Sequence, residues 1–345
     1  MRILIVRLSS MGDVVHTLPA ITDVSRARPD VTVDWVVDEA FAEIPRWHPG
    51  VDRVITSAFR RYGKSWHRSF ASGEVQKFIS ALRSVRYDAV IDLQGIFKSS
   101  LAALLARGSR AGYVGSDVHE WGAHLTYARK YKVEKEQHSI TRMRQLLASA
   151  LDYKIEENSV DYGIDRECLP IVSAPAASPY LVFIHSTAWP SKNWPGDHWR
   201  RLIEPARADG YNVVLPWGSE LERDRSIELA GQDPGVIVLP AMSIGEKAAV
   251  INGATATVGL DTGLSHIAAA LGVPSVTVYG PTDPRFVGAM GKDQRHVVAE
   301  FRCLYCHKEN CRLDGILRPA PVCLDTVTGD RVWGQLRDLL PIRGA

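Results

Sequence analysis

The stretch Ser9-Ser10-Met11-Gly12-Asp13-Val14-Val15-His16-Thr17 follows a short apolar run and sets a carboxylate, Asp13, at the expected start of a helix. A carboxylate there can cap the helix or take a proton from a substrate hydroxyl, and position alone leaves both roles open. One glycine stands where a dinucleotide fingerprint has three, which argues against an ordinary NAD site. A second loop, His185 through Pro195, holds Ser186, Thr187, Ser191, Lys192 and two tryptophans. Hydroxyls and a mobile ammonium bind phosphate oxygens, and the same residues equally suit a solvated loop beside packing indoles. A third, Gly259-Leu260-Asp261-Thr262-Gly263-Leu264-Ser265-His266, runs from a strand into a small-residue helix. Backbone N–H groups at Thr262 and Gly263 would face an anion, with His266 either aimed at that anion or serving as a core histidine. The fourth loop, Tyr279-Gly280-Pro281-Thr282-Asp283-Pro284, reads as a structural turn.

All four loops follow Val- and Ile-rich runs that alternate with amphipathic stretches. In the first half the strand candidates are Ile3–Leu8, Val31–Val37, Arg53–Thr56 and Ala89–Leu93, with helical stretches at Asp13–Ala27, Glu74–Ser84 and Ser139–Leu151. From Arg166 to Pro179 the period is lost and prolines gather, which reads as a linker that halves the chain. The second half repeats the alternation: strands at Leu181–His185, Asn212–Pro216, Val236–Leu239, Thr257–Asp261 and Ser275–Tyr279, and helices at Asp197–Ala208, Glu220–Ala230, Ile244–Asn252 and Leu264–Leu271. Two Rossmann-like α/β halves with mostly parallel sheets follow. In such sheets ligands sit beyond the carboxyl ends of the strands, where these loops fall.

The chain has 345 residues, 41 Lys+Arg against 39 Asp+Glu, and is 46% hydrophobic. That balance excludes disorder throughout and gives no overall field for nucleic acid. The length suggests two domains with a cleft between them. No apolar stretch has the length of a membrane span and none reads as a secretory signal, so a cytoplasmic, reducing compartment is expected. One segment is strongly basic, Phe59-Arg60-Arg61-Tyr62-Gly63-Lys64-Ser65-Trp66-His67-Arg68. It suits carboxylates and phosphates at a membrane surface, or is simply a solvated face.

Taken together, Ser9 through Ala20, Asp34-Trp35-Val36-Val37, Leu215-Pro216-Trp217-Gly218 and Asp261–His266 through Pro284 resemble the lipopolysaccharide heptosyltransferase I enzymes of glycosyltransferase family 9. The resemblance runs from Met1 to about Arg295. It implies a GT-B fold, with an acceptor-binding domain over residues 1–168 and an ADP-heptose-binding domain over 169–345. The implied reaction is an inverting transfer of L-glycero-D-manno-heptose from ADP-heptose to the first Kdo of Kdo2-lipid A, with no cofactor and no catalytic metal. Asp13 matches the catalytic base and Lys192 would stabilise the leaving ADP. Thr187, Glu222, Met242, Asp261, Thr262, Gly263 and His266 match positions around the donor. Ser9, Arg60, Arg61 and Lys64 match acceptor-binding positions, while Gly63 stands where a further basic residue is often found. Lys98, His138, Arg142 and Arg144 are further candidates for that surface, and a peripheral seat on the cytoplasmic face of the inner membrane is implied.

One segment departs from that family. Cys303-x2-Cys306-x4-Cys311-x11-Cys323 could enclose a structural zinc or iron ion, or be free thiols. It is similar to the four-cysteine iron site of heptosyltransferases that modify autotransporter proteins. A relative acting on another core position or on a protein acceptor is therefore a second reading, and a non-catalytic nucleotide-sugar-binding module a third.

Overall fold

The computed structural model describes residues 1–59, 61, 73–155, 160–176, 179–316 and 321–341. The chain divides into two compact units, Met1–Cys168 and Leu169–Ala345.

In the first unit the strands β1 (Arg2–Val6), β2 (Thr32–Asp38), β3 (Val51–Ser57), β4 (Arg86–Asp92), β5 (Arg107–Tyr113) and β6 (Arg129–Tyr131) lie in the order β3-β2-β1-β4-β5-β6. Every neighbouring pair is parallel. Ile3–Val6 are buried throughout, as a strand covered on both faces requires, and an unbroken apolar run serves that need better than alternation. Helix α1 (Met11–Ala27) buries Val14, Val15, Leu18, Ile21 and Val24 and packs against the helix Ser139–Leu151.

The second unit repeats the plan with β7 (Tyr180–Ile184), β8 (Asn212–Leu215), β9 (Val236–Val238), β10 (Ala256–Leu260), β11 (Ser275–Tyr279) and β12 (Gln294–Val298), in the order β12-β11-β10-β7-β8-β9. These strands too are all parallel. The core is built on Leu181, Phe183, Val213, Leu215, Val258, Leu260, Val276 and Val278 of the sheet, closed by Trp194, Trp199 and Leu336. Each half is thus the α/β Rossmann-like unit that the alternation of runs implies.

Sequence periodicity assigns no element to the helices Phe97–Leu105 and Gly329–Arg337, nor to β5, β6 and β12. In β5 the reason is steric. A Cβ at Gly108 would lie 2.6 Å from the Tyr87 carbonyl oxygen, and one at Gly112 would strike the Tyr127 ring. Close packing demands glycine there, and glycine erases the strand signature. Among the described residues no helix is long and apolar enough to cross a membrane.

Candidate functional site

Each sheet has one place where the chain turns in opposite directions from two adjacent strands, and open α/β sheets bind ligands outside that point. In the first sheet it lies between β1 and β4, and in the second between β7 and β10.

Asp13 stands at the first of these. Its Oδ2 accepts from the Ser10 N–H at 3.0 Å and the Ser10 hydroxyl at 2.9 Å, and its Oδ1 pairs with the Arg7 guanidinium at 2.7 Å. The capping and the acidic roles therefore coexist in one carboxylate, whose side chain remains 31% exposed. Burial pushes its pKa up, but Arg7 and the two Ser10 bonds outweigh that and hold it below the ordinary carboxylate value. Arg7 donates further to the Leu93 carbonyl at 2.9 Å, and Trp35 Nε1 donates to the Arg7 carbonyl at 3.1 Å. Gln94, from the loop after β4, accepts the Leu8 N–H at 2.9 Å and donates to Ser9 Oγ at 3.4 Å, which ties Ser9 into the same loop pair. His119 lies close enough to interact with Asp13, and burial followed by Arg7 lowers its own pKa. Arg7 and His119 were not expected here. The signal available for Arg7 was a lone charge inside an apolar strand run.

Of the basic candidates, Arg60 and Lys64 lie outside the described residues. Arg61 is exposed, and its guanidinium reaches Glu39 at 3.1 Å and Glu74 at 2.5 Å. Lys98 is exposed at the start of the helix Phe97–Leu105. Arg142 and Arg144 are not surface cations. Both are buried, Arg142 donating to the Asp117 carbonyl at 2.7 Å and lying over the Tyr113 ring, Arg144 paired with Asp23 at 2.6 Å. His138 caps the helix Ser139–Leu151, its Nδ1 accepting from the Ile140 N–H at 3.2 Å. Cations are buried only where partners compensate them, and here those partners come from other elements, so charge along the chain does not show which side of the helix they occupy.

In the second sheet Asp261 follows β10 and Lys192 lies in the loop after β7. The Asp261 carboxylate, 7% exposed, accepts from Lys192 Nζ at 2.7 Å and from the Thr282 hydroxyl at 2.6 Å through Oδ2, while Oδ1 lies 3.3 Å from His266 Nε2. Burial would raise its pKa, yet His266 and Lys192 hold it far below the usual range. Lys192 Nζ also sits 4.7 Å from the centroid of the Trp189 ring, so ring and carboxylate fix the ammonium together. Thr282 corrects the reading of the fourth loop as a turn alone. Because β10 and β11 are neighbours, its hydroxyl comes to the same carboxylate.

Thr262 holds the N-cap position of the helix Gly263–Ala270 without a side-chain cap bond, and the first amides of the helix have no acceptor within it. The helix comes this close because β10 carries Gly259, where a Cβ would meet Ile184 Cβ at 3.3 Å and collide with Ser265 Oγ. Thr187 and Asn193 clamp the Lys192 loop by a pair of hydrogen bonds at 3.1 and 3.3 Å. Glu222 accepts the Gly218 N–H at 2.6 Å, closing the turn after β8, and Met242 is half-buried in the loop after β9.

His185, where β7 ends, is enclosed between Ser226 and Ser186, both at 2.7 Å, and burial followed by Arg225 pushes its pKa down to about 3. Burial likewise takes His48 down to about 4. Both rings are neutral when folded and protonate near their ordinary value of 6.5 when unfolded. The unfolded chain therefore holds more protons below that value, and stability is expected to fall as pH drops from about 6.5 toward 4. Chemical-denaturation midpoints across that window should show a shallower decline in His48→Gln than in the parent. An equal slope would assign the acid sensitivity elsewhere.

The metal enclosure that the cysteine spacing allows is not formed. Among the described residues no group of three or more His, Cys, Asp or Glu is arranged to hold a metal ion. Cys303, Cys306, Cys311 and Cys323 are free thiols, and burial, then the three other cysteines, raises Cys323 to about 11.

The model of glycosyltransferase family 9 (heptosyltransferase) matches residues 75–317. The chain is 44% identical to lipopolysaccharide heptosyltransferase 1 of Pseudomonas aeruginosa, over 99% of its own length and 98% of that protein's. It is 45% identical to the Escherichia coli K12 protein of the same name, over 85% of this chain and 92% of that one. Among solved structures it is similar to the E. coli heptosyltransferase WaaC with ADP, at a TM-score of 0.86 and 40% identity over 98% of this chain and all (100%) of that one. A second WaaC structure, with ADP-2-deoxy-2-fluoro heptose, matches with a TM-score of 0.83 over 98% of this chain and 99% of that one.

Proposed function

The chain belongs to glycosyltransferase family 9, the heptosyltransferases, and on that premise we propose that it transfers L-glycero-D-manno-heptose from ADP-heptose to the first Kdo of Kdo2-lipid A, in lipopolysaccharide inner-core synthesis. The observation that carries the reading is the chemistry found at each switch point by itself: an ionised, part-exposed carboxylate in one unit and a fixed ammonium beside a helix N-terminus in the other. The first unit takes the acceptor, with Ser9, Arg60, Arg61 and Lys64, and the second takes the donor. The protein works as a peripheral protein on the cytoplasmic face of the inner membrane, where a lipid-borne acceptor is presented.

In the transfer, the Kdo hydroxyl oxygen forms a bond to the heptose anomeric carbon as the bond from that carbon to the β-phosphate oxygen breaks. The hydroxyl proton passes to Asp13, and ADP leaves with the electron pair, inverting the anomeric centre. Lys192, the Thr262 and Gly263 amides and the Thr187 hydroxyl meet the growing diphosphate charge. Asp261 positions Lys192, His266 and Thr282, and Glu222 and Met242 lie toward the nucleoside and heptose. No metal takes part in these steps.

ADP release from ADP-heptose tests this directly. Release is expected only with Kdo2-lipid A or its deacylated form present, and it should persist in a chelator. Release without acceptor, or none with it, would overturn the assignment.

Arg7 gives a second test. A carboxylate base loses activity as pH falls through its pKa, and removing the adjacent cation raises that pKa. Arg7→Met should therefore move the acid limb of the kcat/KM profile to higher pH. An unmoved limb would assign it to a group other than Asp13.

A further inference from the structure

The helix Phe97–Leu105 carries apolar residues on both sides. Inward lie Ser99, Ser100, Ala102 and Ala103 with the half-buried Leu105, while Phe97, Leu101 and Leu104, at the spacing of one helical stripe, are 59%, 45% and 48% exposed. Burial of the serines is possible because Ser99 Oγ donates to Asp92 at 2.8 Å and Ser100 Oγ to the Phe97 carbonyl at 3.0 Å. The segment after β5 extends this apolar face. His119 and Glu120 N–H groups donate to the Gly95 carbonyl at 3.1 and 3.0 Å, and the Phe97 ring lies against Gly122. That seating leaves Trp121 79% and Leu125 68% exposed beside the helix.

The charge along this segment is net positive. From Ile96 to Lys132 there are six Lys and Arg against two Asp and Glu. Both acids are committed: Asp117 is buried and accepts the Val133 N–H, and Glu120 accepts the Phe97 N–H at 2.7 Å. An exposed tryptophan and leucines within a cationic rim match the boundary between anionic headgroups and acyl chains. A second copy of the chain fits poorly, since a two-fold contact would set the same cations against each other.

We propose that Phe97, Leu101, Leu104, Trp121 and Leu125 form a surface that docks the first unit onto an anionic lipid bilayer. This deepens the transferase reading and rests on its lipid-borne acceptor. The helix begins directly after Gln94 and Gly95, and Gln94 holds Leu8 and Ser9 of the Asp13 loop, so docking brings that loop to the headgroup layer.

The test is flotation of the full chain with vesicles of phosphatidylethanolamine and phosphatidylglycerol, compared with phosphatidylcholine alone. The parent should float with the anionic vesicles and less with the neutral ones. Phe97→Gln with Leu101→Gln and Leu104→Gln, and independently Trp121→Ser, should weaken that binding by about tenfold or more. ADP release with the deacylated acceptor should stay at the parent rate in both. Variants that float like the parent, a parent that does not float, or equal binding to neutral vesicles would each overturn the proposal. So would a parent dimer that the same substitutions convert to monomer, because a second copy would then own the face. Flotation needs no catalysis, so failure of the transferase reading shows separately, as absent ADP release from the parent with deacylated acceptor.

Discussion

Asp13→Ala is expected to lower turnover by about 10²-fold or more while leaving ADP-heptose affinity nearly unchanged, the usual scale for a lost general base. The Arg7 pairing and the Ser10 bonds keep the carboxylate ionised through the neutral range and fix its orientation, and part of it stays open to an incoming hydroxyl. The same carboxylate caps α1 and pairs with the buried Arg7, so the alanine variant should also lose about 1 kcal/mol from the cap and more from the guanidinium left without its counter-charge. Asp13→Asn separates the two effects. The amide keeps the shape and an acceptor for the Ser10 N–H but has no basicity and turns its NH2 toward Arg7, so it should recover the capping part of the stability and not turnover. If Asn restored the rate, Asp13 would be a capping residue only.

The second large effect is expected at Lys192. Lys192→Ala should cost about 10²–10³-fold in turnover, as the loss of a preorganised charge at a developing anion generally does. The ammonium is only 16% exposed and is held by Asp261 and the Trp189 ring, so it is in place before charge builds on the leaving diphosphate. Its removal also strips a partner from a buried carboxylate, which lowers stability. His266 and Thr282 remain on Asp261 to limit that loss. Single-turnover rates at saturating donor on protein verified as folded separate the two consequences. A full rate with a lowered melting temperature would make Lys192 a structural residue.

Much of this was legible in the residues. Runs such as Ile3–Val6 and Leu181–Ile184 announce strands buried on both faces, and the loops that follow them carry Asp13 and Lys192. Thr282 could not be found that way, because its place beside Asp261 depends on β10 and β11 being neighbours. Arg142 and Arg144 misled for the complementary reason: their partners, the Asp117 carbonyl and Asp23, belong to other elements of the fold. The helix Phe97–Leu105 shows no clear period, because apolar residues fall on both sides of it, Phe97, Leu101 and Leu104 outward and Ala102, Ala103 and Leu105 toward the core.

The strand orders have a consequence for synthesis of the chain. The central seam of the first sheet joins Ile3 to Ala89, and that of the second joins Leu181 to Ala256. Such long-range pairings are slow to nucleate, because a large loop must close before the contact rewards it. On the ribosome the first unit can close its sheet while the second is still being made, as domains generally fold in order of emergence. The Lys192 loop, by contrast, has no counter-charge until β10 has emerged and delivered Asp261. Half-made chains would therefore expose Val- and Leu-rich strand edges for as long as translation takes to run from β7 to β10, and that interval is where chaperone dependence should be sought.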